Sequence, residues 1–179
     1  MLHRGRMGWL MIVVSVLIPN IGGIVGGLMT AKSIKNWYNK ELKKPEWRPP
    51  NWVFGPMWTS LYSTMGYAAY RVWLEYDSPS ILIPWQLPWP LKLFALQLLL
   101  NWLWTPIFFG LKNITLALLE IILLDVAVVA TGWAFYQEDD LAGTLFIPYM
   151  LWLTLATALT LAIWKMNPRW RNGVPSKET

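Results

Sequence analysis

The sequence contains no cysteine and a single histidine, His3, and only 14% of its 179 residues are charged. Without cysteine the chain cannot form disulfides, thiolate metal sites or cysteine nucleophiles. One histidine is too few for a histidine metal cluster, so we predict no metal site and no required cofactor. A soluble domain usually carries about 25% charged residues, so this scarcity of charge indicates a protein that lies in lipid.

Hydrophobic residues make up 55% of the chain, and tryptophan is unusually common, with 14 residues against 6 phenylalanines. Five apolar segments are each close to the ~20 residues that a helix needs to cross the hydrocarbon. The strict alternation that is typical of membrane β-barrels is absent. We therefore predict an all-α integral membrane protein, with one domain over residues 1–179 and five transmembrane helices at about 7–29, 52–73, 91–110, 114–136 and 142–164.

Basic residues are concentrated on one side of the predicted bundle. Most of the 15 lysines and arginines fall in the first loop (residues 31–50), after the third helix and in the C-terminal tail: Lys32, Lys35, Lys40, Lys43, Lys44, Arg48, Lys112, Lys165, Arg169, Arg171 and Lys177. The other side carries Arg4, Arg6, Arg71 and Lys92 with Glu75, Asp77, Glu138, Asp139 and Asp140. Because cytosolic loops carry the excess of basic residues, we predict that the first loop and the C-terminus are cytosolic. The net charge of +5 then reflects topology and anionic lipid, and we predict no nucleic-acid partner.

The run Lys44-Pro45-Glu46-Trp47-Arg48-Pro49-Pro50 is held extended by its prolines just before the second helix begins. We interpret this run as a lid over a pocket. Asn51, Phe54, Trp58 and Tyr62 follow at helical spacing and share one face of the second helix. That face is either the wall of the pocket or an ordinary packed core.

Polar and small side chains on the third and fifth helices add to this pattern. Asn101 shares a face with Trp104, and an amide in the hydrocarbon must find a partner or lose several kcal/mol. Asn101 therefore bonds a neighbouring helix or anchors a ligand. On the fifth helix Tyr149, Trp152 and Ala156 share a face that suits either a flat ligand or close helix packing.

Two further features of the helices concern packing and charge. The first helix contains small residues four apart, at Gly22, Gly23, Gly26 and Gly27, which predict close contact with another helix of the chain or a homodimer seam. The fourth helix carries Glu120 and Asp125, which are expensive at membrane depth. They lie roughly 140° apart around the helix, so we expect no carboxylate pair and assign them no catalytic role.

Three motifs resemble the translocator protein family, which is also called the peripheral benzodiazepine receptor or tryptophan-rich sensory protein family. The first joins Trp37-Tyr38, the Lys-Pro-x-Trp-x-Pro-Pro run at 44–50 and Trp58-Thr59-Ser60-Leu61-Tyr62. The second runs from Leu100 to Gly110, and the third is Pro148-Tyr149-x-x-Trp152 with Ala156-Thr157. The likeness covers nearly the whole chain in order.

The resemblance implies a receptor or transporter-like membrane protein whose pocket binds porphyrins such as protoporphyrin IX, sterols such as cholesterol, and benzodiazepine-type ligands. By motif, the pocket residues would be Trp58, Tyr62, Asn101, Trp104 and Trp152, and the lid residues would be Trp37, Tyr38, Trp47 and Pro49. The shared faces described above add Phe54, Tyr149 and Ala156 to the candidate pocket. The resemblance also implies a homodimer and, in a eukaryote, the mitochondrial outer membrane.

Two other functions stay open. Some bacterial members degrade protoporphyrin in light, which would make Trp58 and Trp152 redox-active, and a membrane scaffold would bind no ligand of its own. The chain also departs from the family in places. Leu161 stands where the cholesterol motif has a tyrosine, and Leu116 and Leu119 stand where mammalian relatives have a tryptophan and an alanine in the drug pocket.

Overall fold

The computed structural model describes residues 2–76 and 86–174, with side chains from residue 8 onward. Its elements in chain order are α1 (Leu2–Ser33), a first π-helical turn (Ile34–Tyr38), α2 (Asn51–Glu75), α3 (Trp89–Thr105), a second π-helical turn (Pro106–Gly110), α4 (Ile114–Glu138), α5 (Asp140–Thr144), α6 (Ile147–Met166) and a 3-10 turn (Pro168–Trp170). The predicted all-α membrane bundle is confirmed, and α1, α2, α3, α4 and α6 are its five long helices. Of the residues in the predicted charge asymmetry, Asp77, Lys177 and the side chains of Arg4 and Arg6 lie outside this description.

Most of these helices meet the requirements of length and composition for crossing a membrane. The runs that do so are Gly8–Tyr38, Trp89–Gly110, Ile114–Glu138 and Asp140–Met166. Helix α2 is not among them, although its 25 residues reach ~37 Å and exceed the ~30 Å hydrocarbon thickness. Its hydropathy is lower because tyrosine, threonine, serine and glycine are frequent along it, and several of these line the site described below.

The first helix is longer than its apolar stretch. We predicted an end near residue 29, but helical backbone continues to Tyr38. Hydropathy falls at Lys32, yet nothing between residues 30 and 33 breaks a helix, so the helix passes beyond its apolar part. Trp37 and Tyr38 were predicted in the loop; they lie instead in the first π-helical turn and are buried, with 1% and 7% of their surface exposed.

The last predicted helix, at 142–164, is divided into α5 and α6. The break falls at Leu145 and Phe146, just before Pro148. Proline has no backbone N–H, so Pro148 cannot donate to the carbonyl of Thr144 and continue the ladder of α5. Pro50 and Pro88 stand immediately before α2 and α3 for the related reason that the first turn of a helix needs no such donor.

Helix α1 packs closely on α2 and α3 through its glycines. A side chain at Gly22 would overlap the indole of Trp102 on α3, and one at Gly23 would overlap the ring of Tyr62 on α2. Gly26 also faces α3, where an added Cβ would make a tight contact with Cγ2 of Thr105 at 3.3 Å. Of the two alternatives for this glycine face, the structure therefore shows packing within the chain at these three positions.

The first loop is held against the bundle by the C-terminal segment. The side-chain amide of Asn167 donates to the carbonyl of Lys43 at 2.8 Å, and the N–H of Lys43 donates back to Asn167 Oδ1 at 2.9 Å. Trp170 packs edge-on against Trp37 with ring centroids 5.4 Å apart. These contacts thus fasten the beginning of the loop, from Trp37 to Lys43, to the C-terminal segment.

At the opposite end of the bundle an ion pair joins α2 to the α4–α5 corner. Arg71 donates from Nε and one terminal nitrogen to Asp139, the closer contact being 2.6 Å. Asp139 also caps α5 by accepting from the N–H of Ala142 at 2.7 Å. The hydrogen bonds from Arg71 are the main reason why the pKa of Asp139 lies below its usual value.

This ion pair makes stability depend on acid. A carboxyl with a lowered pKa stabilises the folded state above its unfolded pKa of about 3.9, and that contribution is lost as the pH falls through the folded value. We expect Asp139→Asn to cost about 1 kcal/mol at pH 7 and to make the SDS unfolding midpoint less dependent on pH between 4 and 2. Asp140→Asn is the matched control, because Asp140 is exposed, and it should keep the full acid dependence.

Candidate functional site

A cavity of about 460 Å³ lies between α1, α2, α3, α4 and α6, beside the first π-helical turn. Ligand pockets in proteins typically enclose about 300–1,000 Å³. Its walls are largely aromatic and aliphatic, and its main lining residues beyond α1 are Tyr38, Phe54, Trp58, Tyr62, Asn101, Trp104, Phe108, Ile121, Leu124, Leu153, Ala156, Leu159 and Ile163. A pocket with this composition accepts a molecule that is mostly apolar.

A chain of hydrogen bonds forms the polar part of the wall. The hydroxyl of Tyr62 donates to Asn101 Oδ1 at 2.5 Å, and Asn101 Nδ2 donates to the hydroxyl of Tyr149 at 2.7 Å. Tyr149 in turn donates to Gln97 Oε1 at 3.3 Å. The amide of Asn101 therefore joins α2, α3 and α6, which is the interhelical alternative considered for it. Of the four side chains in this hydrogen-bond network, only Tyr62 and Asn101 face the cavity.

Aromatic rings hold one another in place around the cavity. Trp58 lies 5.5 Å from Tyr62 between ring centroids, and it meets the buried ring of Tyr149 edge-on at 6.1 Å. Trp104 stacks on Phe108 at 4.8 Å with only 13° between the ring planes. These contacts fix large flat surfaces in the wall, and such surfaces are suited to stacking against another planar ring.

The structure brings six of the eight predicted pocket residues to the cavity: Phe54, Trp58, Tyr62, Asn101, Trp104 and Ala156. Tyr149 and Trp152 lie behind this layer instead. Tyr149 is fully buried and supports Asn101, while Trp152 is 8% exposed and packs edge-on against Phe54 at 5.5 Å. Both of these side chains support the wall and do not form its surface.

The predicted lid residues divide into two groups. Tyr38 lines the cavity from its π-helical turn, and Trp37 is buried beneath it against Phe108. Trp47 is 53% exposed and Pro49 is half-buried, and neither lines the cavity. The π-helical turn Ile34–Tyr38 thus covers the cavity. The proline run at 44–50 lies farther from it.

A cluster of polar contacts fastens the loop above the cavity. The ammonium group of Lys44 donates to the carbonyls of Tyr38 and Leu42 at 2.5 and 2.7 Å, and it lies 5.0 Å from the centre of the Tyr38 ring. Burial, and next the positive charge of Arg48, lower the pKa of Lys44. Asn51 at the start of α2 donates to Asn39 Oδ1 at 3.2 Å and closes the loop onto α2.

Sequence reasoning missed the contribution of α1. Gly23, Ile24, Gly27 and Thr30 form one side of the cavity. The signal was present in the spacing, because these positions recur at intervals of three and four residues, as one face of a helix does. Small residues at this spacing predict a packing surface, and a cavity wall needs the same small side chains, so the spacing does not distinguish the two.

The two acidic residues of α4 have different surroundings. Asp125 accepts a hydrogen bond from the hydroxyl of Thr157 on α6 at 2.8 Å. Glu120 is 8% exposed, and its carboxyl oxygens have no hydrogen-bond partner among the described residues. The two side chains therefore do not act as one group, and neither lines the cavity.

Comparison with known proteins gives consistent results over most of the chain. Residues 15–165 match the profile of the TspO/MBR family. The chain is 39% identical over 168 residues to the translocator protein of Homo sapiens, covering 92% of this chain and 95% of that one. It is 44% identical over 132 residues to the tryptophan-rich sensory protein of Cereibacter sphaeroides, covering 73% and 77%. It is 38% identical over 161 residues to the tryptophan-rich protein TspO of Archaeoglobus fulgidus, covering 90% and 99%.

Proposed function

Because the chain belongs to the TspO/MBR family, we propose that this multi-pass membrane protein is a receptor or transporter for a flat, largely apolar ligand that binds in the aromatic cavity. The observation that carries the proposal is the cavity of about 460 Å³ walled by Trp58, Trp104 and Phe108. Its size and its stacking surfaces suit a planar ring system. Metal-free porphyrin, with protoporphyrin IX as the representative, is the ligand we propose first.

The chemistry of the side chains favours metal-free porphyrin over haem. Haem iron is usually held by histidine, cysteine, methionine or tyrosine, and the chain has no cysteine and only His3. Among the described residues of these types, Tyr38 and Tyr62 line the cavity. The hydroxyl of Tyr62 is already bonded to Asn101, and the ammonium group of Lys44 lies over the ring of Tyr38. Sterols and benzodiazepine-type ligands are further candidates, because they too are rigid and mostly apolar.

Equilibrium binding of protoporphyrin IX to the purified protein tests this proposal. We expect saturable binding, followed by the change in porphyrin fluorescence, and we expect Trp58→Ala to weaken it about tenfold, since an aromatic contact contributes about 1.4 kcal/mol. Trp133→Ala is the matched control because Trp133 is 64% exposed and lies outside the cavity wall. Porphyrin fluorescence that rises linearly without saturation would contradict the proposal. Equal affinities for the two variants would remove Trp58 from the site.

Several finer properties stay predictions. Light-driven porphyrin breakdown would use Trp58 and Trp152, and of these two only Trp58 lines the cavity. We infer a cytosolic location for the first loop and the C-terminus from their basic residues, and in a eukaryote we infer the mitochondrial outer membrane. We also predict a homodimer. Its contact surface would have to differ from the glycines that α2 and α3 already cover.

A further inference from the structure

The cavity has an uncovered side, between α1 and α2. Ile24 and Gly27 on α1 and Gly55 and Thr59 on α2 line the cavity and are also exposed on the surface of the bundle. A Cβ added at Gly27 or at Gly55 would meet nothing within 4 Å among the described residues. The two glycines therefore border a gap through which the cavity is open at the side of the bundle. We refer to this gap as the α1–α2 slot.

The slot has closed ends. Toward the middle of the bundle Tyr62 packs against Gly23, and one turn beyond it Asn20 donates to the hydroxyl of Ser63 at 3.2 Å. Toward the first loop Asn51 bonds Asn39. Above the cavity Lys44 donates to the carbonyl of Tyr38 in the π-helical turn and to the carbonyl of Leu42 in the loop. The loop side of the cavity is thus fastened by hydrogen bonds, whereas the lateral slot is bordered by two residues without side chains.

The slot faces lipid. Gly55 and Thr59 lie ~6 and ~12 Å along α2 from its first residue, and a helix of this length extends only a few ångströms beyond the hydrocarbon on each side. The residues beside the slot are apolar and strongly exposed: Leu28 is 75%, Met29 74% and Trp52 74% exposed. Trp52 at the start of α2 is an interface residue by its type and position, and it places the slot just inside the hydrocarbon.

From this arrangement we propose that ligands reach the cavity sideways from the bilayer, through the α1–α2 slot, and not from water through the first loop. The inference rests on the proposed binding function and narrows the ligand class to apolar or amphiphilic molecules that dissolve in the membrane. A planar ring can slide edge-first between two helices where both carry glycine. A substituent of such a ring can remain in the slot and contact lipid while the ring lies in the cavity.

Filling the slot tests the proposal. The full-length protein is reconstituted in phosphatidylcholine vesicles, and protoporphyrin IX already dissolved in the bilayer of a second vesicle population is delivered by fusion or exchange. Its arrival is followed in time by energy transfer from tryptophan. We expect Gly27→Phe and Gly55→Phe each to slow association about tenfold or more, because binding must then wait for the helices to separate.

Two control variants make the outcome decisive. Gly110→Phe adds the same side chain at an exposed glycine that has open space but lies outside the cavity wall, and it should associate at the wild-type rate. Asn167→Ala removes the two hydrogen bonds that hold the loop at Lys43, away from the slot, and it too should leave the rate unchanged. If the phenylalanine variants at the slot associate at the wild-type rate while Asn167→Ala is faster, ligands pass through the loop and the proposal is wrong. If the wild-type protein shows no saturable binding, the binding function itself fails.

Discussion

Replacing Gly66 by alanine should separate α1 from α2 and strongly destabilise the protein. A Cβ at this position would lie 2.9 Å from the carbonyl carbon of Ser15 and from Cα of Val16, and still closer to the carbonyl oxygen of Ser15. These are backbone atoms of α1, so no side chain can rotate away. The helices must move apart, and contacts along their whole length weaken as they do.

The expected cost is about 3 kcal/mol, at the upper part of the range for overpacking a well-packed site. The midpoint of reversible unfolding in SDS, followed by circular dichroism, measures this cost. Gly55→Ala is the matched control in the same helix, since its Cβ would meet nothing within 4 Å. Alanine is the better helix former by about 1 kcal/mol, so this control should be neutral or stabilising. Equal midpoints for the two variants would show that α1 and α2 adjust without loss.

The contrast between these two glycines shows what the sequence could and could not predict. Both lie in α2 among apolar residues, and the sequence around them does not show which of the two faces another helix. Whether a glycine has a helix against it or open space depends on how α1 crosses α2. That crossing is set by the contacts of many side chains together, so it cannot be inferred from spacing along one helix.

Local chemistry was predictive where it acts within a few residues. Pro50 indicated where α2 begins, because the first turn of a helix does not need the N–H that proline lacks. The third helix was predicted from about residue 91, and α3 begins earlier, at Trp89 directly after Pro88. The missing N–H of Pro148 also divides α5 from α6. The predicted helix at 142–164 did not include this break, because the apolar run is continuous there. Trp37 and Tyr38 were assigned to a loop because hydropathy marks where the membrane ends and not where a helix does.

The depth of each side chain in the site was the least predictable property. Helical spacing placed Tyr149, Trp152 and Ala156 on one face of α6, and of these only Ala156 reaches the cavity. The large side chains pack against α2 and α3 and fill the space behind the wall, whereas the small one leaves room that the cavity occupies. Residues on the same face of a helix can therefore belong either to the packed core or to the cavity wall. Which of the two applies depends on the volume of the side chain and on the position of the neighbouring helices.

Asn101→Leu should have the second large effect, on both stability and binding. Asn101 is 4% exposed and bonds both Tyr62 and Tyr149. Leucine has a similar size, so the change removes the polar contacts and leaves little cavity. Tyr62 then loses the acceptor for its hydroxyl, and a buried polar group without its partner costs about 1–3 kcal/mol. We expect a loss of about 3 kcal/mol in the same SDS measurement.

A double-mutant cycle separates the structural role of Asn101 from a role in holding the ligand. Tyr62→Phe removes the same hydrogen bond from its other end, so Asn101→Leu and the double variant should differ in stability by less than the cost of Tyr62→Phe alone. If the stability losses of the two single variants simply add in the double variant, the 2.5 Å hydrogen bond between Tyr62 and Asn101 contributes no coupling free energy.

The affinities of Tyr62→Phe and Asn101→Leu for protoporphyrin IX are then compared under conditions in which the same fraction of each variant is folded. If Tyr62→Phe keeps the wild-type affinity for protoporphyrin IX while Asn101→Leu loses it, the amide of Asn101 contacts the ligand directly. If both variants lose affinity equally, the ligand depends on the position of the Tyr62 ring, and Asn101 acts by holding that ring in place.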